Sequence, residues 1–443
     1  MLQTFVNAWK IADLRKKMLY TALIILIFRI GAALPVPFTD LADGLITDPD
    51  ANNFMAYLSM MTGDAFNYGT LFAMSITPYI NASIIIQLLT VAIPALERLA
   101  KEGEEGRKKL SAITRYSAVA LAALQSTAYY FFIRAQGYLS VSADGAAYTG
   151  FFAVFQALVV ILCYTAGATL LMWLGEQINE KGIGNGISII LFAGIVSRMP
   201  TTLYNLWSYV NRGGAYIPLA IIAIVSMLLM IAFIVWMDNA ERRIPVQYAK
   251  RVVGRKMYGG QNTHIPIKVN MCGVLPVIFA SSILSLPPTI QMFVTLNPDE
   301  SGWDAFWQGF FNIFQTTHWA YVIMYFLLII FFAYFYAAIQ YNPIEMANNI
   351  RRNSGAIPGI RPGKPTSDYI AKILHKITLL GALLLSVVAL YPLLFSQITA
   401  LFDKQVNLTM GGTSVIIMVG VALETVKQLE SQMMMRHYKG FLD

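Results

Sequence analysis

Apolar runs long enough to cross a membrane recur along the whole chain. A spanning helix needs about 20 mostly apolar residues. By that measure the sequence contains ten candidates, near 18–34, 76–93, 114–135, 150–174, 187–206, 215–237, 270–294, 320–340, 374–397 and 412–430. Each is expected to be a helix, because in lipid every backbone N–H and C=O must find its partner within the segment. The fifth run is the weakest, interrupted by Gly186, Gly194 and Arg198.

Two runs carry polar residues inside the apolar pattern. Ser75 to Leu89 reads SITPYINASIIIQLL, and Cys272 to Leu286 reads CGVLPVIFASSILSL. Aligned on their prolines, Pro78 meets Pro276, Ile80 meets Ile278, Ala82 meets Ala280, Ser83 meets Ser281, Ile85 meets Ile283 and Leu88 meets Leu286. Semi-polar, Pro-headed segments at matching places in two halves of a membrane chain point to an internal repeat and a transport path. Chance likeness between apolar helices rich in Ile, Ala, Ser and Leu is the other reading of the pattern.

The connections are unequal. Between the first two spans, residues Asn53 to Phe66 are amphipathic and Met-rich, and too short and polar to span. They either lie on the surface or fold back into the protein. Asp238 to Lys268 alternates basic residues with Val, Ile and Tyr, which predicts a hairpin in part of it. Asn342 to Lys372 starts helix-like, ends that pattern at Gly355, and projects Arg361 from a tip reading AIPGIRPGKP. Both loops exceed what joining helices needs. They either dock a large acidic or RNA-rich partner or only enforce topology.

Composition sharpens the membrane reading. The chain has 443 residues, 57% hydrophobic and 13% charged, with mean hydropathy +0.57; soluble chains carry about 25% charged residues. The net charge of +8 is expressed through topology. Lys10, Arg15, Lys16 and Lys17 before the first run imitate a signal peptide, but the run is long and contains Arg29, so a first span is expected. With a cytoplasmic N-terminus, the even-numbered connections hold Arg98, Lys101, Arg107, Lys108, Lys109, Lys181, Arg242, Arg243, Lys250, Arg251, Arg255, Lys256, Arg351, Arg352, Arg361, Lys364 and Lys372. The other side holds Arg134, Arg198, Arg212 and Lys404. Both termini are therefore expected in the cytoplasm. The second and seventh spans then run in opposite directions, so a repeat relating them is inverted. It divides the chain into halves 1–212 and 213–443, with cytoplasmic loops 238–268 and 342–372 in the second.

Catalytic chemistry finds little support. Cys163 and Cys272 lie in apolar segments, and four scattered histidines make no metal site. GKPT at Gly363 is no phosphate loop, since Pro358 stands where that motif needs Gly and Pro365 where it needs Ser or Thr. GIGNG, from Gly182 to Gly186, has no strand before it and reads as a flexible turn. There is no Ser/His/Asp set, intramembrane carboxylate pair or HExxH. Arg29 in the first span is expected to be structural, and Glu424 and Lys427 in the last are one turn apart and expected to pair. No cofactor is expected.

Longer motifs carry a resemblance. FRIGAALPVP (28–37), PYINASIIIQLLT (78–90), KEGEEGRKKLSAITRY (101–116), MWLGEQINEKGIGNGISII (172–190), HIPIKVNMCGVLPVIFASSI (264–283) and GAIPGIRPGKPT (355–366) are similar to the SecY family, the central subunits of bacterial protein-conducting channels. The likeness runs over essentially the whole length. It implies an all-α membrane protein of ten helices in two inverted five-helix halves, a clamshell. It also implies an hourglass pore with a ring formed by Ile76, Ile80, Leu191, Ile278 and Ile417; Leu191 stands where the family commonly has Ile. A re-entrant plug would run from about 53 to 66, including Phe54, Met55, Leu58, Met60, Met61 and Phe66. A lateral gate between spans two and three and spans seven and eight would be lined by Asn81, Gln87, Asn270, Ser281 and Ser282. Docking of a motor or ribosome would fall to Lys250, Arg251, Arg255, Lys256, Arg351, Arg352 and Arg361. The implied partners are SecE, SecG, the SecA motor, the ribosome, signal-bearing preproteins, nascent membrane proteins and lipid. The implied activity is a non-enzymatic channel in the bacterial inner membrane that passes unfolded polypeptides across and releases apolar helices sideways. A small-solute transporter of inverted-repeat type is the alternative.

Overall fold

A computed structural model describes residues 2–41, 44–45, 59, 62–139, 150–212, 216–248, 251–253, 256–258, 262–291, 303–315, 318–401 and 411–439. The chain is mostly helical. Helices α1 (Leu2–Lys10) and α2 (Ala12–Gly31) are followed by α3 (Thr77–Ala92), α4 (Pro94–Lys101), α5 (Glu104–Ala135), α6 (Phe151–Lys181), α7 (Gly186–Ser197), α8 (Met199–Arg212) and α9 (Tyr216–Asn239). Strands β1 (Glu241–Tyr248), β2 (Arg251–Val253), β3 (Lys256–Tyr258) and β4 (Asn262–Lys268) come next. The chain continues with α10 (Leu275–Leu284), α11 (Leu286–Gln291), α12 (Trp303–Ile313), α13 (Trp319–Gln340), α14 (Pro343–Arg352), β5 (Gly355–Ala356), α15 (Lys364–Leu401) and α16 (Gly412–Lys439).

Helix coincides with each of the ten expected spans, with instructive differences. Among the described residues, six helices are by length and composition alone able to cross a membrane, or seven if the bent pair α3 and α4 counts as one. That pair bends by 102°. Pro94 lacks an N–H and pushes Ile93 to extended backbone (φ −108, ψ 114), so α3 stops there. The fifth span breaks at Arg198 into α7 and α8. The seventh starts later than the apolar pattern, at Leu275, and breaks at Ser285, ahead of Pro287 and Pro288. Elsewhere helices outrun their apolar cores: α5 begins at Glu104 and α15 at Lys364. Their charged first turns cost little in a wet interface, where Lys and Arg can snorkel.

The loop hairpin is present: β1 pairs antiparallel with β4, from Glu241 opposite Lys268 to Gln247 opposite Asn262. Less expected, β5 from the second long loop adds to the other edge of β1, giving the order β4-β1-β5. Ile244, Val246, Ile267, Ala347, Ile350 and Ile357 form a common core. The two basic loops are one folded unit. The helix in the second loop ends at Arg352, before Gly355, with Asn353 as its cap and Ser354 turning at φ 55.

Helix packing falls into two groups. In one, α3 packs on α5, α5 on α6, α6 on α7, and α2 on α6 and α7. In the other, α10 packs on α13, α13 on α15, and α16 on α9 and α15. The groups meet where α7 packs on α16 and where α8, which follows α7, packs on α9. Helix α1 also lies on α16, where Thr4 Oγ1 donates to Glu430 Oε1 (3.2 Å), and Ala8, Leu14, Ile183 and Leu429 cluster. The chain's two ends and the α6–α7 turn thus share one face.

Candidate functional site

The twin segments share more than letters. Ser75 (φ 50) and Gly273 (φ 61), which the alignment pairs, both sit in left-handed backbone. Ile76 and Val274 follow as αR caps without side-chain hydrogen bonds, and Pro78 and Pro276 each take the second helical position. The Ile76 carbonyl accepts from Tyr79 and Ile80 (3.0 and 3.1 Å), and the Val274 carbonyl accepts from Val277 and Ile278 (3.1 and 3.2 Å). Proline's missing N–H is harmless there, since helix-initial N–H groups lack intrahelical partners anyway. Chance likeness of composition does not require a matched turn, cap and proline.

Around these helix starts lies the molecule's main apolar core. Ile76, Leu191 and Ile417 are buried in a single cluster that also holds Phe28, Val277 and Ile416. Ile80 and Ile278 are partly buried and packed against it. All five residues expected to form a ring therefore fall in one apolar cluster, drawn from α3, α7, α10 and α16. Ile76 caps α3 rather than lying within it.

Against this cluster lies a strap, the non-helical segment 63–76. Phe54, Met55, Leu58, Met60 and Met61 lie outside the described residues. Phe66 is described: it is buried and packs its ring on Tyr129 at 4.7 Å. A turn at membrane depth must satisfy its own backbone or borrow partners from neighbouring helices. The Tyr129 hydroxyl on α5 donates to the Phe66 carbonyl (2.5 Å), and the Tyr164 hydroxyl on α6 donates to that of Gly69 (3.0 Å). Leu71 N–H donates to Leu34 O (2.9 Å). Two glycines admit the strap: a Cβ on Gly31 would collide with the Phe72 ring, and one on Gly167 with the Leu71 carbonyl. The strap is also bound electrostatically, because Arg198 Nε lies 3.0 Å from Asp64 Oδ2.

The expected gate residues are dispersed along α3, α10 and the turn before α10. Asn81 buries its Oδ1 with no hydrogen-bond partner among the described residues, and Gln87 is exposed. Asn270 is buried and donates from Nδ2 to Asp238 Oδ1 (2.9 Å), which ties it to the end of α9. Ser281 is buried and donates to Ile278 O in its own helix (2.9 Å), while Ser282 is half-buried. Within each flank, α3 packs closely on α5 and α10 on α13. Backbone contact between the flanks is sparse among the described residues.

On the loop face, Arg351 and Arg352 are exposed at the end of α14, and Arg361 is exposed at the tip. Thr366 Oγ1 donates to Arg361 O (2.8 Å), and Gly359 and Gly363 turn at φ 80 and 108, so the tip is shaped by its own bonds. Arg251 and Lys256 lie on the paired strands β2 and β3. Lys250 and Arg255 lie outside the described residues. On α4, the Lys101 ammonium 2.6 Å from Glu97 holds that exposed carboxyl below the usual carboxylate range.

Two expectations change, and one open alternative narrows. The GIGNG turn is closely packed rather than flexible. A Cβ on Gly186 would strike the Gly175 carbonyl, and Asn179 Oδ1 and Asn185 Oδ1 accept from Gly186 N and Ile187 N (2.7 and 3.2 Å). Glu424 and Lys427 are both exposed, and among the described residues no ion pair joins them. The Met-rich piece after span one is no simple surface helix in its described part, since Ser59, Thr62, Ala65 and Phe66 are buried. Sequence reasoning missed Asp64, Tyr129, Tyr164 and Gly167, which belong to no motif. The only signal of Tyr129, Tyr164 and Gly167 is a hydroxyl or a glycine inside an apolar helix, and such residues are common there; Asp64 is a lone acidic residue in a turn.

A sequence model of the SecY family matches residues 70–426. The chain is 43% identical to the protein translocase subunit SecY of Streptomyces galbus over 445 residues, covering all of both chains. It is 44% identical to that of Streptomyces scabiei, again with full coverage of both. Among solved structures, one described as a protein-conducting channel superposes with TM-score 0.61 at 19% identity, covering 94% of this chain and 92% of that one. A SecY structure whose description assigns its plug domain to stabilising the closed channel and keeping a membrane seal gives 0.59 at 18%, with the same coverage. Sec61 from a canine ribosome–channel complex gives 0.58 at 16%, with coverage of 94% and 92%.

Proposed function

The chain belongs to the SecY family and is a membrane-embedded protein-conducting channel subunit, and from that premise we propose how its residues divide the work. Unfolded secretory polypeptides pass through the apolar waist of Ile76, Ile80, Leu191, Ile278 and Ile417. An aliphatic constriction dewets and resists ions, yet offers no fixed hydrogen bond to hold a passing chain. The observation that carries this reading is the convergence of these five residues in one cluster.

Segment 53–66 serves as the plug, a role for which methionine, a flexible and adaptable side chain, is suited. The sparse contact between α3/α5 and α10/α13 supports a lateral gate there, with Asn81, Gln87, Asn270, Ser281 and Ser282 keeping closure marginal. An apolar signal helix then tips the gate by its better fit to the open state. The two groups of helices correspond to halves 1–212 and 213–443, and the matched starts of α3 and α10 support their inverted relation. The membrane is the bacterial inner membrane, with both termini in the cytoplasm.

The channel performs no catalysis of its own. A motor (SecA) or the ribosome docks on the joined loops through Lys250, Arg251, Arg255, Lys256, Arg351, Arg352 and Arg361. The solved ribosome complex of the similar Sec61 chain supports the ribosome in this role. SecE and SecG complete the complex, and preproteins, nascent membrane proteins and lipid are its other partners. Reconstitution with SecE and a motor tests the whole. A signal-bearing preprotein should enter proteoliposomes only when ATP is supplied; uptake of a small solute in its place would establish the transporter alternative.

A further inference from the structure

Helix α12 lies at the end of the molecule opposite the joined basic loops. Helix α10 follows β4, and α13 leads into α14 and β5, so each has one end at the sheet. The connection between them, which holds α12, is therefore carried to the far end. Three rows of side chains run along α12 and into the turn after it. Trp307, Phe311 and Phe314 form the inner row. Phe311 is buried, Phe314 packs against the main apolar cluster, and Trp307 stacks on Phe311 at 5.8 Å. Gln308, Asn312 and Gln315 form a polar row, in which Gln315 Nε2 donates to Asn312 Oδ1 (3.0 Å). Phe306, Phe310 and Ile313 form a third row, left 62%, 37% and 38% exposed. Each row repeats at intervals of three and four residues, which places its members on one helix face.

An exposed row of two phenylalanines and an isoleucine is unfavourable against water, and apolar patches of this kind mark protein or membrane contacts. Its neighbours select lipid. Helix α12 packs on α11, whose Leu286 and Ile290 are exposed. Helix α13 begins at Trp319 with an exposed row of Trp319, Ile323, Leu327 and Phe331. The third row of α12 thus lies in the chain between the lipid-facing rows of two spans. No charged residue occurs from Ala305 to Thr317, so nothing in that stretch calls for an acidic partner or an anionic headgroup. Aromatic rings at the headgroup level anchor without charge. We infer that α12 is an interfacial anchor: Phe306, Phe310 and Ile313 enter the headgroup–acyl boundary of the leaflet opposite the basic loops, and Asn312 and Gln315 face water. Amphipathic helices of this kind sink about 5–10 Å into that boundary. The anchor holds the far ends of α11 and α13 at one depth, which α10 and α11, short and broken at Ser285, do not fix by their own length. The inference needs only that the chain is membrane-embedded, and it is independent of the waist, plug and gate.

The test is electron paramagnetic resonance of the full channel complex, one copy per lipid nanodisc. Cys163→Ala and Cys272→Ala provide the background, and a nitroxide is attached to one added cysteine. A Cβ on Gly309 meets nothing within 4 Å, and Gly309 lies beside the exposed row, so Gly309→Cys adds a label without removing an anchoring side chain. Collisions with oxygen, which concentrates in lipid, are compared with collisions with a water-soluble nickel chelate. The Gly309→Cys label should favour oxygen several-fold, and the Asn312→Cys label should favour nickel. Adding Phe306→Gln with Phe310→Gln should raise nickel access at the Gly309→Cys label several-fold, because the row then loses its apolar surface. Ile313→Gln alone should act in the same direction and serves where the double variant does not assemble. All of these results should be the same in zwitterionic and in anionic lipid. Equal nickel access at the two labels would place the row in water and overturn the anchor. Poor access to both reagents would mean that protein covers it, and protection that requires anionic lipid would mean that charge holds it; either overturns the proposal. Motor-driven preprotein uptake checks that each variant is folded.

Discussion

At the residue scale the molecule depends on a few polar atoms placed where lipid offers none. The Phe66 and Gly69 carbonyls sit in a buried turn, and the hydroxyls of Tyr129 and Tyr164 satisfy them. Tyr129→Phe leaves the Phe66 carbonyl without its donor and should destabilise the folded complex by about 1–3 kcal/mol. Tyr164→Phe should do the same at Gly69. A lowered Tm of the purified complex checks both; unchanged values would mean that the strap's carbonyls are satisfied otherwise. The waist is tested at this scale too. Ile80→Gly with Ile278→Gly should raise ion leak in planar bilayers, since glycine removes the aliphatic surface that excludes water.

At the scale of elements, close approach and shared sheet edges decide which segments act together. Gly167 lets α6 touch the strap at Leu71. Gly167→Val should force them apart, lowering the yield of folded complex far more than Gly137→Val, whose added side chain meets nothing at the Cβ position, although Gly137 itself has φ 77. Arg361 stands on a tip shaped by Gly359, Gly363 and the Thr366 hydroxyl. Arg361→Glu should impair motor- or ribosome-driven translocation while leaving membrane insertion of the channel intact; full translocation by this variant would remove the docking role. The hairpin in the first basic loop was legible from alternation of basic and apolar residues. Its union with the second loop was not, because two residues of β5, Gly355 and Ala356, carry no strand signal.

At the scale of the molecule, two tightly packed groups joined at α7 and α16 leave a seam between α3/α5 and α10/α13. Joining Asn81→Cys on α3 to Ser282→Cys on α10 with a cleavable thiol crosslinker should arrest translocation, and cleavage should restore it. Unimpaired translocation with the crosslink in place would mean that this seam does not open. The helices at the expected spans, the semi-polar twins and the family motifs were legible because apolar length, proline and basic loops act locally, residue by residue.

The sequence by itself determined that the chain is a helical membrane protein, where its spans lie, and that two of them begin alike. These follow from hydrophobic transfer and from proline's missing N–H, which need no partner in space. Only the tertiary structure decided that Ile76, Ile80, Leu191, Ile278 and Ile417 share one cluster. It also decided that the strap threads past Gly31 and Gly167, and that Asp64 meets Arg198. Those contacts join residues far apart in the chain, through shape and charge that no local pattern records. The same is true of the broken seventh span: the apolar run begins at 270, but the helix waits for the left-handed turn at Gly273 that its twin makes at Ser75.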